Sequence, residues 1–298
     1  MEKAKAFLEL TQGESDPVSS LAFPPHRLGT ECSFYEYYAL RGIRVDRIEP
    51  GQVFCTFRVP PRLTDRQGKL ASGAIANLVD EVGGAVVYVE GLPMNVSVDM
   101  SISFLSSAKA DDELEIIGRV LGQKGGYSGT SVLVKNKTTG ELIAEGRHSL
   151  FDFVDNGCFH NFIRGTDIED SRPPGIRVDR VEPGLVFCTF KVPPRLTDRA
   201  GKLAPGAIAN IVDAVGAGAV NVGGHPLNVS VDMSISFLSS AKVDDELEII
   251  GQVLGKKGGY SGTSVLVKNK ATGELIAEGR HSLFAILVCL SHRADDGL

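Results

Sequence analysis

Tryptophan is absent from the 298 residues, and histidine occurs only six times. The histidines are scattered, with no two at helical ligand spacing around an acid, so no metal-binding helix is written into the chain. Cysteine is scarce and odd in number. Cys32, Cys55, Cys158, Cys188 and Cys289 form no C-x-x-C pair, which leaves no zinc or disulfide framework and fits a reducing compartment. Basic residues are not in excess: 31 Lys and Arg face 37 Asp and Glu, so the net charge of −6 offers no footprint for a nucleic-acid backbone. No apolar run reaches the roughly 20 residues that span a bilayer. Met1 to Leu10 mixes Glu2, Lys3, Lys5 and Glu9 with its apolar residues, unlike a secretory h-region or an acid-poor transit peptide. The expectation is a cytoplasmic globular protein that needs no metal and no cofactor, with a mitochondrial pool left open.

What the chain does contain is itself, twice. Gly42 to Phe151 matches Gly175 to Phe284 at a constant offset of 133, without gaps, and 18 of the 110 positions differ. A unit of that length exceeds any solenoid repeat, so each copy reads as a complete domain and the chain as a fused dimer. The domains are therefore residues 42–151 and 175–284. Residues 1–41 precede the first copy and carry an aromatic run, Phe34, Tyr35, Tyr37 and Tyr38, that the second copy does not repeat. Residues 152–174 are polar, acidic and closed by Pro173-Pro174, as in a linker. Residues 285–298 form a short tail.

Within each copy the pattern reads strand, helix, then several strands. Gln52 to Pro60 alternates β-branched and aromatic residues at period two and stops at a double proline. Gly73 to about Val89 is small and apolar nearly all round, which predicts a helix buried on most faces. Four further strands are expected over Ser97–Leu105, Glu113–Leu121, Tyr127–Asn136 and Glu141–Phe151, separated by Asp111-Asp112, Gly125-Gly126 and Thr139-Gly140 turns. The fold class is α+β, an antiparallel sheet wrapped round one central helix. In Asn95–Phe104 strict alternation places Val98, Met100, Ile102 and Phe104 on one face, with Ser97, Asp99, Ser101 and Ser103 on the other.

A charge is costly where water is excluded, so the acid in the middle of the apolar helix demands explanation. It is Asp80 in the first copy, followed by Glu81, and Asp213 in the second, followed by Ala214. Either the carboxylate is a base or nucleophile in a partly dry site, or it faces a solvent seam. The start of the same helix, with unpaired N–H groups at the positive end of its dipole, suits a developing oxyanion. There the copies differ, Ser72-Gly73 in one and Pro205-Gly206 in the other, and proline has no N–H to give.

GAIANLVDEVGGAVV, NVSVDMSISFLSSAKADDELEI and GGYSGTSVLVKNKTTGELIAEGRHSLF together resemble the hotdog-fold acyl-CoA thioesterases of the phenylacetate-type family. The resemblance spans both copies and implies a tandem hotdog fold: in each copy a curved antiparallel sheet wraps a central helix, and the copies pair as a pseudo-dimer. It implies metal-free hydrolysis of fatty acyl-CoA to free acid and CoA. In such proteins the helix acid is base or nucleophile, matched by Asp80 and Asp213, and a strand serine assists it, matched by Ser97 and Ser230. The oxyanion donor lies in a His-Gly-Gly motif that here has become Ala71-Ser72-Gly73 and Ala204-Pro205-Gly206, and a position that is usually Asn holds Asp65 and Asp198. CoA contacts are implied for Phe104, Lys109, Lys124, Gly125 and Tyr127, and for Phe237, Lys242, Lys257, Gly258 and Tyr260.

Family sites lie at the pair interface, so two unequal composite sites are expected, Asp213 facing Ser72 and Asp80 facing Pro205. Loss of one oxyanion donor costs on the order of 10²- to 10³-fold, which assigns most turnover to Asp213. The competing reading is a duplicated hotdog that binds acyl-CoA or serves assembly without chemistry. A hydratase is disfavoured, because neither copy has a histidine in its helix or in the six residues before it. The expected partners are the acyl-CoA substrate and a second tandem chain in a homodimer, with no nucleic acid and no membrane span.

Overall fold

The computed structural model describes residues 33–88, 95–124, 126–151, 175–221, 228–257 and 259–285. Ahead of the first copy lies helix α1 (Phe34–Leu40). It starts on a capping box: Ser33 Oγ accepts the Glu36 N–H, and Glu36 Oε2 accepts the Ser33 N–H. The first copy then runs β1 (Ile43–Glu49), β2 (Gln52–Arg58), a 3₁₀ turn (Pro61–Leu63), α2 (Ser72–Ala85), β3 (Val96–Phe104), β4 (Glu113–Lys124), β5 (Tyr127–Asn136) and β6 (Leu142–Phe151). The second repeats it as β7 (Arg177–Glu182), β8 (Leu185–Lys191), a 3₁₀ turn (Pro194–Leu196), α3 (Pro205–Asn221), β9 (Asn228–Phe237), β10 (Glu246–Lys257), β11 (Tyr260–Asn269) and β12 (Leu275–Ala285).

All twelve strands form one antiparallel sheet in the order β1-β2-β4-β5-β6-β3-β9-β12-β11-β10-β8-β7. The order is a palindrome about the β3–β9 pair, so each copy supplies half a sheet and closes the edge of the other. Asp99↔Ser236, Ser101↔Ser234 and Ser103↔Asp232 pair across that line. Two hydroxyls bridge it, Ser236 Oγ donating to Asp99 Oδ2 at 3.2 Å and Ser103 Oγ to Asp232 Oδ2 at 3.1 Å. The tandem hotdog fold expected from the sequence is the fold observed.

Each half-sheet curves round its helix, which is why α2 and α3 are apolar on nearly every side. Ile75, Leu78, Val79 and Val82 of α2 meet Phe57, Met100, Ile102, Leu114 and Ile116 of the strands, all buried in one core. The closest approach is at glycine. A Cβ at Gly146 would stand 2.5 Å from Val79 Cγ1, and one at Gly279 2.5 Å from Val212 Cγ1.

Three features depart from the sequence expectation. The edge strands β1 and β7 and helix α1 went unpredicted. Helix α2 stops at Ala85 rather than near Val89, which lies outside the described residues, whereas α3 runs on to Asn221. Val86 follows the end of α2 where α3 has Ala219, and a β-branched residue favours the helix less than alanine does. Finally, the alternation along β3 is broken. The register shifts between Ser97 and Asp99, and in β9 between Ser230 and Asp232, so each strand carries a β-bulge. Met100 and Ile102 face the core and Val98 is exposed, while Ser97 turns inward to the helix instead of joining Asp99.

Candidate active site

The helices α2 and α3 pack against each other at their N-terminal ends, where Gly73 and Gly206 allow close contact. Gly73 lies under the Asn210 side chain and Gly206 under that of Asn77, too close in each case for any Cβ. This seam places the start of α2 beside Asp213, the mid-helix acid of α3, and the start of α3 against Asn77, three residues before Asp80.

Asp213 lies in that seam with both oxygens engaged. Oδ1 accepts from Ser230 Oγ at 2.8 Å, and Oδ2 accepts from Ser72 Oγ at 2.7 Å. Ser230 belongs to β9 of the same copy, whereas Ser72 opens α2 of the other, so the constellation is composite. Behind the carboxylate, His281 Nε2 stands 3.3 Å from Asp213 Oδ1 and 3.0 Å from Ser230 Oγ. The Ser72 and Gly73 N–H groups have no hydrogen-bond acceptor among the described residues. Two donors and a positive helix end thus remain available beside a hydrogen-bonded carboxylate.

The second constellation has the same parts but one. Asp80 Oδ1 accepts from Ser97 Oγ at 2.9 Å, and His148 Nε2 is 3.3 Å away. Pro205 opens α3 where Ser72 opens α2, and it supplies neither hydroxyl nor N–H. Burial pushes the Asp80 carboxyl up to about 7; the Ser97 hydrogen bond opposes this and the charge of Asp198 adds to it. Glu81, which replaces Ala214, is pushed up to about 8 by burial first and then by Asp80 and Glu36. Asp80 keeps 12% of its side-chain surface and Asp213 keeps 26%.

The histidines are the buried groups that sequence reasoning missed: none lies in either helix or in the six residues before it, yet folding brings His148 beside Asp80 and His281 beside Asp213. They come from β6 and β12, the last strands of each copy, 68 residues after the acid in sequence. Each ring is fully enclosed beneath its helix: a Cβ at Gly83 would lie 3.0 Å from His148 Nδ1, and one at Gly216 3.0 Å from His281 Nδ1. Burial lowers His148 to about 4 and lowers His281 as well, so both are neutral at pH 7. Neither Nδ1 has a hydrogen-bond partner among the described residues. The available signal was the inward position of His148 within the alternating burial of β6.

Asp65 and Asp198 organise turns. Asp65 Oδ1 accepts the Gln67 and Lys69 N–H groups, and Asp198 Oδ1 those of Ala200 and Lys202. Asp198 is half-buried and raised by burial, whereas Asp65 is exposed. The residues implied for CoA divide between two places. Lys109 and Lys242 pair by β-bridges with Lys69 and Lys202, next to the two aspartate turns, and Phe104 and Phe237 pack on the core. Lys124 and Tyr127 instead lie at a hairpin end, as do Lys257 and Tyr260, where Tyr127 bonds Ser149 and Tyr260 bonds Ser282. Gly125 and Gly258 lie outside the described residues. Among the described residues no three His, Cys, Asp or Glu side chains converge as a metal site, and no helix is long and apolar enough to cross a membrane.

Comparison with known proteins gives three findings. The family described as Thioesterase superfamily matches residues 67–143 and 200–274. Acyl-coenzyme A thioesterase 13 of Homo sapiens is 41% identical over 101 residues, 34% of this chain and 72% of that protein; the Mus musculus protein is 39% identical over the same shares. Among solved structures, acyl-CoA thioesterase II TesB2 of Mycobacterium marinum superposes with a TM-score of 0.59 at 16% identity, covering 84% of this chain and 97% of that one. A putative oleoyl thioesterase of Lactobacillus plantarum gives 0.60 at 10% identity, over 80% and 98%. These two likenesses concern the fold alone.

Proposed function

Because the chain belongs to the thioesterase superfamily, we propose that it hydrolyses fatty acyl-CoA thioesters to free acid and CoA, mainly at the Asp213 constellation. The observation that carries this reading is the cross-copy hydrogen bond from Ser72 Oγ to Asp213 Oδ2 at 2.7 Å. It sets a carboxylate next to a helix start whose two N–H donors have no acceptor among the described residues, whereas the start of α3 has lost one to Pro205.

A water beside Asp213 attacks the thioester carbonyl carbon while Asp213 takes its proton. The carbonyl oxygen gains the negative charge and is stabilised by the Ser72 and Gly73 N–H groups. When the tetrahedral intermediate collapses, the C–S bond breaks, the thiolate leaves, and the proton on Asp213 passes to the sulphur. Ser230 and neutral His281 hold the carboxylate in place, a positioning role that keeps its oxygens aimed at the water. A thioester is already reactive, so acid–base help of about 10²- to 10⁴-fold is enough.

The test is release of free thiol from a panel of acyl-CoA chain lengths. Asp213→Asn is expected to lose at least about 10²-fold in kcat, while Asp80→Asn retains most of it. The reverse result rejects the pairing. Saturable binding with no thiol release by the wild-type protein rejects hydrolysis in favour of an acyl-CoA-binding role.

A further inference from the structure

The repeat at an offset of 133 makes each constellation a control for the other, and among the described residues one element, helix α1, lies on the Asp80 side alone. Helix α1 lies across the seam there. Its exposed edge is tied to the first copy, Tyr38 OH donating to the Arg62 carbonyl at 2.8 Å and Arg62 Nε donating to the Tyr38 carbonyl at 2.9 Å. Its buried edge is tied to the second copy by Glu36, whose carboxylate pairs with Arg199 at 3.0 Å while only 6% exposed. Between these anchors Tyr35 is driven down into the seam. Its hydroxyl donates to Asn77 Oδ1 and lies against Gly206, the second residue of α3.

The consequences are visible position by position. Asn77 is buried at 6% exposure, and its counterpart Asn210 is exposed. Asp198, beside Glu36 and Arg199, is half-buried, and its counterpart Asp65 is exposed. The Tyr35 ring and hydroxyl fill the seam between Asn77, three residues before Asp80, and the start of α3, close enough to feel the charges of Asp80 and Glu81.

We infer that α1 is a clasp that seals the Asp80 site, with Tyr35 as its plug and the Glu36–Arg199 pair as its latch, so that one chain takes up one acyl-CoA rather than two. This rests on the acyl-CoA reading above but is separable from it. The clasp makes Tyr35 and Glu36 the residues that decide which of two near-identical sites receives substrate.

The experiment is calorimetric titration of the full chain with a non-hydrolysable acyl-CoA, the ketone in which CH₂ replaces the thioester sulphur. The wild-type chain is expected to bind one equivalent, and Tyr35→Ala two. Glu36→Gln, which keeps the plug but weakens the latch, is expected to add a second, weaker equivalent and provides the test if Tyr35→Ala does not fold. Two equivalents in the wild type overturn the clasp while leaving the acyl-CoA reading intact, and so does a single equivalent in both variants. No binding by any of the three overturns both.

Discussion

Ser72 and Pro205 occupy the same position of the repeat, and the contrast between them can be taken apart by substitution. Ser72→Ala removes the hydroxyl that Asp213 Oδ2 accepts but keeps the backbone N–H, so kcat for thiol release is expected to fall about 10-fold, the scale of one hydrogen bond of roughly 1.4 kcal/mol. Ser72→Pro removes the N–H as well, and the expected loss grows to about 10²- to 10³-fold. Equal losses in the two variants would deny the N–H any part in catalysis. Asp80 makes a different prediction, about stability. Its folded value near 7 lies above the ordinary carboxylate value, so the folded chain holds a proton that the unfolded chain has released, and stability falls as pH rises from about 4 to 7. Asp80→Asn removes that cost. Its Tm relative to wild type is expected to be several degrees more favourable at pH 8 than at pH 5, since about 1 kcal/mol moves Tm by 2–4 °C at this size. His148 acts the other way between about 4 and 6.5, and since its Nε2 stands 3.3 Å from Asp80 the comparison is repeated in a His148→Gln background to isolate the Asp80 effect. The acid itself was legible in the sequence because a lone charge in an apolar run is conspicuous. His148 and His281 were not, because their relation to the acids exists only after the last strand of each copy folds over the helix.

At the scale of elements, the helix and the inner strands could be read from periodicity, because a nearly all-apolar stretch and alternating runs have few other solutions. What could not be read were the features that break periodicity. The bulge at Val98 turns Ser97 from the polar face to the Asp80 side, and no local signature distinguishes that strand from a regular one. β1 escaped because it is an edge strand and its residues are mostly exposed, so no buried stripe marks it. Helix–sheet contact makes the sharpest prediction here. Gly279→Ala would press a methyl group to 2.5 Å from Val212 Cγ1, one residue before Asp213, and Gly146→Ala would do the same beside Asp80. Each is expected to cost about 1–3 kcal/mol, read as a Tm shift, because overpacked cores relax only in part. Gly279→Ala should also lower kcat, and Gly146→Ala should leave it near wild type. The opposite pattern would place turnover at Asp80.

For the molecule as a whole, the repeat announced the pairing, but the sequence could not say how the copies meet. A single sheet joined through β3 and β9, with α2 against α3, makes the interface a continuation of each core rather than a contact between finished surfaces. Two separately encoded halves, residues 1–151 and 175–298, are therefore expected to co-purify through a tag on either one when co-expressed. Recovery of the tagged half alone would contradict so intimate a join. Tyr127, Phe151, Tyr260 and Phe284 remain exposed on the assembled sheet. Burying them against a second tandem chain would give a light-scattering mass of twice 31.8 kDa, and a value of 31.8 kDa would rule that dimer out. The palindromic sheet has a genetic corollary. When a twofold assembly is built from one short gene, every substitution is imposed on both of its catalytic centres, and a damaging proline in one is a damaging proline in the other. Tethering the partners in a single reading frame lifts that constraint, so one centre can be retained under selection while its twin drifts, closes or is recruited to another purpose.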